Sequence, residues 1–340
     1  MPAGPGRVVA LLGPTGVGKT AVAIQVARAL RVRVISCDSM QLYRGLPVLT
    51  NQPSPEERAV VEHALVGVAD PDEEWTAATY AEQATAAVDA DLARWGWALI
   101  VGGTGLYLRA ALAPLAIPSG HDPILRARLE ERAAGESPDV LYGELRALDP
   151  FAASRIHPRN VRRVVRALEV AVTTGPGAWS GRDDLWRPVY RHPTTIIGLS
   201  MERSLLYERI DARALQMIGG GVVDEVAADR ARRSRTPGAE SRQRGRGVCK
   251  AIGYAEISAY LDGDATREQT VDRVAAATRR YARRQLTWMR KVPDAVIIDA
   301  SSRAAADIAA EVLIIARAEP QGPTGTRARS DGRAEPEGVE

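Results

Sequence analysis

Residues 13–20 read Gly13-Pro14-Thr15-Gly16-Val17-Gly18-Lys19-Thr20. An apolar run, Val8-Val9-Ala10-Leu11-Leu12, precedes them, and a helical pattern begins near Ala21. A strand, a glycine-rich loop ending in Lys-Thr and a helix, in that order, form a phosphate-binding P-loop. Gly13, Gly16 and Gly18 let the backbone turn tightly and aim its N–H groups inward. The start of the helix adds a positive dipole end. Lys19 brings a full positive charge, and the Thr20 hydroxyl suits Mg²⁺. A plain glycine turn would leave Lys19-Thr20 at the helix start without a reason. The loop is therefore expected to bind a di- or triphosphate. It does not say which one, or whether a phosphoryl group moves.

Working outward, four further apolar runs read as buried strands: residues 32–36, 98–101, 195–199 and 295–298. Helical patterns separate them, which predicts a P-loop NTPase-like α/β fold, a parallel sheet flanked by helices. The helix over 21–30 is apolar apart from Gln25 and Arg28, as burial on a sheet requires. The gap between the third and fourth runs is too long for a simple crossover. Asp122-Pro123 and Ser137-Pro138 there read as N-caps followed by N1 prolines. Val161, Val164, Val165, Leu168 and Val172 share one face of a helix that stops at Gly175. Residues 118–199 are thus expected to form a small all-helical insertion. It would split a core of 1–117 and 200–318, and 319–340, rich in Pro, Gly, Arg and Glu, would be a disordered tail.

Hydrophobic residues make up 45% and charged residues 26% of the 340, the balance of a chain with a packed core. The formal charge of +3 is small enough to hide strong local patches. Cys37 and Cys249 have no CxxC partner and no His at ligand spacing, which argues against a zinc site or a disulfide framework. No signal peptide or membrane-spanning run is visible. A cytoplasmic monomer is expected.

In an open α/β sheet, ligands sit at the carboxyl ends of the strands. The second strand ends in Cys37-Asp38-Ser39-Met40-Gln41, which puts Asp38 beside the P-loop, able to accept a proton or to help hold Mg²⁺. The third ends in Gly102-Gly103-Thr104-Gly105, where an NTP-hydrolysing P-loop protein would carry a carboxylate for Mg²⁺. The glycines are read as permitting close approach of a ligand, and Thr104 as a neutral donor to a phosphate oxygen or leaving group. Arginines gather in three places: Arg162, Arg163 and Arg166; Arg279, Arg280, Arg283 and Arg284 near Tyr281 and Trp288; and the run from Arg230 to Arg246. Any one cluster would pass for a solvated helix face. Three together, interleaved with aromatics, suggest a polyanion such as nucleic acid.

Taken together, the P-loop, Asp38-Ser39-Met40-Gln41-Leu42-Tyr43, Val101-Gly102-Gly103-Thr104-Gly105-Leu106-Tyr107, Arg155-Ile156-His157-Pro158, Ala251-Ile252-Gly253-Tyr254 and Arg283-Arg284-Gln285-Leu286-Thr287-Trp288-Met289-Arg290 resemble the tRNA dimethylallyltransferase family over most of residues 8–317. The resemblance implies transfer of the dimethylallyl group of dimethylallyl diphosphate to N6 of tRNA adenosine 37, beside the anticodon, in tRNAs reading codons that begin with U. It implies Asp38 as the general base and Thr104 at the bridging oxygen of the leaving diphosphate. Gly13 to Thr20 and Arg213 would hold the donor, with Thr20 on Mg²⁺. The implied tRNA contacts are Asp38, Ser39, Met40, Gln41, Thr104, Arg126, Arg162, Arg163, Val164, Val165, Arg166, Lys250, Ala251, Ile252, Gly253, Tyr254 and Ala255. Arg159-Asn160 stand where the family often has Asn-Asp, and no Cys₂His₂ finger follows, so the chain resembles the shorter bacterial form.

Rival readings share the P-loop. In a small-molecule kinase, Asp38 would activate a hydroxyl and the arginines of 230–246 would form a lid. In an adenylate isopentenyltransferase, free AMP or ADP would replace tRNA. A third is an RNA-binding protein with a relic P-loop.

Overall fold

A computed structural model describes residues 6–114, 122–178, 187–235 and 247–318. Six strands form one parallel sheet: β1 (Arg7–Leu12), β2 (Val34–Cys37), β3 (His63–Ala64), β4 (Trp97–Gly102), β5 (Thr194–Ser200) and β6 (Val296–Asp299). Their order is β3-β2-β4-β1-β5-β6. β1 lies at the centre, with Leu12 level with Gly102 of β4 and Gly198 of β5.

A parallel sheet covered on both faces needs strands that are apolar throughout. In β1, Val8, Ala10 and Leu12 enter one core while Val9 and Leu11 enter the other. β4 alternates in the same way, with Ala98 and Ile100 opposite Leu99 and Val101. The helix Lys19–Leu30 buries Val22, Ala23, Val26 and Ala27 on the second face and leaves Gln25 and Arg28 in solvent. Val312 and Ala316 of the helix Ala305–Arg317 join the same core. The first face is covered by the helix Ala77–Trp95, through Tyr80, Ala84 and Val88.

The helices Pro123–Gly135, Pro138–Leu148, Pro150–Ala153 and Val161–Thr174 pack around a separate core centred on Leu129, Leu141, Leu145, Val164, Val165 and Leu168. Asp122 and Ser137 cap the first two as their sequence implies, and Asn160 accepts from the Arg163 N–H to start the fourth. Caps of this kind each contribute about 1 kcal/mol. A boundary at 199 would cut through the sheet, because residues 194–199 belong to β5, hydrogen-bonded between β1 and β6. Among the described residues of this stretch, the last helical element ends at Thr174.

The helix Arg267–Met289 opens with a Thr266–Gln269 capping box. It crosses the carboxyl ends of β1 and β4, where Gln285 meets the P-loop and Trp288 meets Gly105. The tail from 319 and most of the expected arginine-rich loop, 236–246, lie outside the described residues.

Candidate active site

The P-loop turns at Gly16 and Gly18, both left-handed with φ of 87° and 96°. Gly18 is the N-cap of Lys19–Leu30 and brings no side-chain oxygen to it, so the first amides of that helix keep their donors for a ligand. Lys19 Nζ donates to the carbonyls of Gly13 and Pro14, each at 2.9 Å, which draws the ammonium back over its own loop. Burial lowers the Lys19 ammonium to about 8; Asp38 works against that and Arg213 adds to it. Arg213, from the helix Arg203–Gly219, donates to Thr15 Oγ1 at 3.3 Å and is itself pushed down by burial, with Asp38 pulling it up. Two half-buried cations facing one carboxylate leave the pocket in want of an anion.

Two cavities meet here. One, of about 250 Å³, lies over the P-loop and is lined by Thr15, Gly16, Gly18, Lys19, Thr20, Gln41 and Gln285. The other, of about 220 Å³, runs beneath the long helix between Met40, Leu49, Met217, Ile252, Val274, Tyr281 and Arg284. Thr15, Asp38, Asn51 and Arg213 line both. Asp38 Oδ1 accepts from the Met40 N–H at 2.9 Å, which aims the carboxylate at the junction. Thr104 Oγ1 accepts from the Ser39 N–H at 3.3 Å, and the Thr104 N–H donates to the Cys37 carbonyl, also at 3.3 Å. The ends of β2 and β4 are therefore sewn together at the two side chains expected to carry chemistry. Burial raises the Tyr281 phenol above its ordinary value, Asp38 adds to this, and a hydrogen bond with the Thr104 side chain opposes it.

The glycines after β4 were read as room for a ligand; the structure assigns them to the protein itself. A Cβ on Gly102 would run into the Cys37 carbonyl, one on Gly103 into the Gln285 carboxamide, and one on Gly105 into the Trp288 ring. The missing side chains let the loop after β4 nest between β2 and the long helix.

The residues expected to touch tRNA divide into groups. Asp38, Ser39, Met40, Lys250, Ala251 and Ile252 line the second cavity, while Gln41 faces the first and is bonded to Ser36 and Asn51. Gly253, at φ 101°, caps the helix Tyr254–Leu261, and the buried Tyr254 donates to Asp229 at 2.7 Å. Ala255 is exposed and lines neither cavity. Val164 and Val165 are 1% and 2% exposed and belong to the helical core, so they hold the arginines in place rather than meeting a ligand. Arg162 and Arg163 are exposed and form no ion pair among the described residues. Arg126 and Arg166 both reach the fully buried Glu169, at 3.1 and 2.8 Å.

The third arginine cluster is a correction. Arg230 pairs with Asp262, while Arg232 and Arg233 pair with Asp229 and Asp72. Arg232 and Arg233 fasten the helix Val222–Ser234 to the loop at 70–75, and Arg230 ties it to the end of the helix Tyr254–Leu261, so these three are not a free polyanion surface. Arg242, Arg244 and Arg246 lie outside the described residues. On the long helix, Arg279 pairs with Asp211 and Arg284 lies 5.5 Å from the Tyr281 ring centroid, while Arg280 and Arg283 are exposed.

Gln285 was passed over by sequence reasoning as a site residue in its own right. The signal was available: it falls on the buried side of the long helix, between Ala282 and Met289, where a polar residue needs a partner.

Comparison with known proteins agrees with this geometry. The model of the IPP transferase family matches residues 41–292, and that of the isopentenyl transferases matches 6–66. The chain belongs to the IPP transferase family. Its relatives in that family include the tRNA dimethylallyltransferases of Roseiflexus castenholzii, 40% identical over 87% of this chain and 93% of that one, and of Thermomicrobium roseum, 42% identical over 84% of each. Among solved structures, the tRNA isopentenylpyrophosphate transferase of Bacillus halodurans superimposes with a TM-score of 0.65 at 34% identity, covering 91% of this chain and 96% of that one. A eukaryotic dimethylallyltransferase acting on tRNA gives 0.73 at 27% identity, covering 87% and 74%. The P-loop NTPase-like sheet is thus the fold that this IPP transferase shares with its family. Among the described residues, no helix is long and apolar enough to cross a membrane.

Proposed function

We propose that this chain transfers a dimethylallyl group from dimethylallyl diphosphate to the exocyclic N6 of the adenosine at position 37 of tRNA, next to the anticodon. The observation that carries this reading is the meeting of two cavities at Asp38, one floored by phosphate-binding elements and the other walled by apolar and aromatic groups.

The diphosphate would lie on the P-loop amides, with Lys19 and Arg213 supplying positive charge. The Thr20 hydroxyl, in the first turn of the helix, shares the cavity with the Asp38 carboxylate. Hard oxygen donors of this kind, completed by substrate phosphate oxygens, fit Mg²⁺. When bound, the ion would neutralise charge building on the departing diphosphate. Lys19, Arg213 and the Thr104 hydroxyl would face the same charge, and a group aimed at developing charge lowers the barrier most.

The acceptor would enter the second cavity. An adenine amine is a weak nucleophile because its lone pair is delocalised into the ring. Asp38, held by the Met40 amide, would take the N6 proton as nitrogen bonds to the allylic carbon and the carbon–oxygen bond to diphosphate breaks. The base must leave the anticodon-loop stack to reach Asp38, at a cost of a few kcal/mol. Arg162 and Arg163 would meet the RNA backbone. Residues 122–174 would thus serve as the RNA-gripping unit, with the chemistry kept at the sheet.

The test is transfer of radiolabelled dimethylallyl from its diphosphate with Mg²⁺, offering unmodified tRNA, AMP and ADP as separate acceptors. Label in tRNA alone supports the reading. Label in AMP or ADP keeps the chemistry and removes the RNA. Label in none, with ATP turnover on a small alcohol, would favour a kinase.

A further inference from the structure

The geometry points to Gln285 as a positioning residue, a strut that sets the distance between the P-loop and Thr104. Its catalytic consequence rests on the function proposed above. Gln285 is 6% exposed. Its Oε1 accepts the Thr15 N–H at 2.9 Å, and its Nε2 donates to the Gly103 carbonyl at 3.2 Å. Thr15 belongs to the loop after β1, and Gly103 immediately precedes Thr104 in the loop after β4. One carboxamide therefore clips the donor-holding loop to the residue placed at the leaving group. The fit is steric as well as polar, because a Cβ on Gly103 would strike this carboxamide and come within 3.0 Å of the Gly13 carbonyl.

Few side chains meet both demands. The task needs an acceptor and a donor at one planar terminus, without added charge in an anion-binding cavity. A glutamate would bring two acceptors, repel the Gly103 carbonyl and oppose the diphosphate. A lysine would bring only donors. The strut also stands on a helix that borders both substrates: Gln285 lines the P-loop cavity, and Tyr281 and Arg284 line the other. In a transfer between two separately held reactants, a misplacement of about 1 Å costs about a hundredfold in rate. Loss of the strut is therefore expected in kcat, with each substrate still bound.

The experiment compares the full chain with Gln285→Leu and Gln285→Glu. It reads dimethylallyl transfer to tRNA, binding of inorganic diphosphate and of tRNA separately, thermal melting, and hydrogen exchange of the Thr15 amide. For Gln285→Leu, kcat should fall about tenfold to a hundredfold while KM for either substrate changes little, and the Thr15 amide should exchange faster. Gln285→Glu keeps an acceptor for Thr15, so exchange should stay slow while diphosphate binding weakens. If Gln285→Leu does not fold, Gln285→Asn, too short to span both loops, should show the same loss of kcat. Wild-type kcat, an unchanged Thr15 exchange, or a fall in kcat matched by equal losses of both affinities would overturn the strut. A wild-type protein without transfer would instead sink the proposed function. Thr15 exchange in the leucine variant would then decide the strut alone: faster exchange upholds it, and unchanged exchange overturns it.

Discussion

The Thr104 hydroxyl oxygen accepts a hydrogen bond from the Ser39 N–H at 3.3 Å, so the residue proposed to meet the leaving group is held by the loop that carries Asp38. Base and Thr104 are thereby linked by a single peptide step, from Asp38 to Ser39, and one hydrogen bond. Such a constraint matters for a displacement in which proton removal and bond cleavage occur on opposite sides of one carbon.

Asp38→Ala should lower kcat by about 10²- to 10⁴-fold, the range of a positioned general base. Binding of tRNA should change little, since the carboxylate is one contact among many. Single-turnover transfer alongside filter binding would check this, and unchanged turnover would remove Asp38 from the chemistry.

Replacing Thr104 by alanine deletes both the donor to the leaving oxygen and the acceptor for the Ser39 amide. Turnover should drop about a hundredfold, as when one donor to a developing oxyanion is lost. Thr104→Ser should recover most of it. Equal rates for the alanine and serine variants would show that the hydroxyl does not act in the reaction.

Lys19 sets a pH dependence whose sign follows from its burial. Its ammonium is lowered to about 8 in the free protein, so the charge that attracts diphosphate is complete below that pH and is lost above it. Affinity for inorganic diphosphate should hold from pH 6 to 7.5. Above pH 8 it should fall by up to about tenfold per unit, the limit for one linked proton. Titration calorimetry across that range, with Lys19→Met as the control, should show the slope vanish in the variant. The same slope in both proteins would assign the proton elsewhere.

Two arginines of the helical unit should separate cleanly. Arg163→Ala removes an exposed cation with no ion pair among the described residues, so tRNA affinity should weaken and the slope of log K against log salt should decrease by about one, with melting unchanged. Arg126→Ala strips a guanidinium from the buried Glu169, so the unit should lose about 1–3 kcal/mol of stability. Melting and salt titration of both variants would expose any exchange of roles.

Much of this architecture is written locally in the chain. The P-loop, the cap-plus-proline pairs at Asp122 and Ser137, and the apolar strand runs each declare themselves within a few residues. The position of Asp38 and Thr104 just past the ends of β2 and β4 followed from the rule that strand ends face the ligand. What escaped depends on distant partners. β3 has two residues, His63 and Ala64, too few for any periodic signal. Arg232 reads as a free cation until Asp72, 160 residues away, is folded against it. Gly102, Gly103 and Gly105 announce a close approach without saying what approaches, and only the packed long helix shows that it is the protein.

That packing has a consequence for how the chain can vary. Around Thr104 the tolerance to substitution should change sharply from residue to residue, like the teeth of an uneven comb. Gly102, Gly103 and Gly105 should reject even alanine, because rigid neighbours already fill the space of a methyl group. Leu106, 42% exposed, should accept most residues. Thr104 should show a third behaviour, allowing changes that preserve the folded protein and forbidding those that remove its hydroxyl. A saturation library scored once for abundance and once for transfer would display the comb in the first screen and a single added tooth in the second. Adaptation to a different donor would then have to come from the walls of the cavities, because this loop has no room to move.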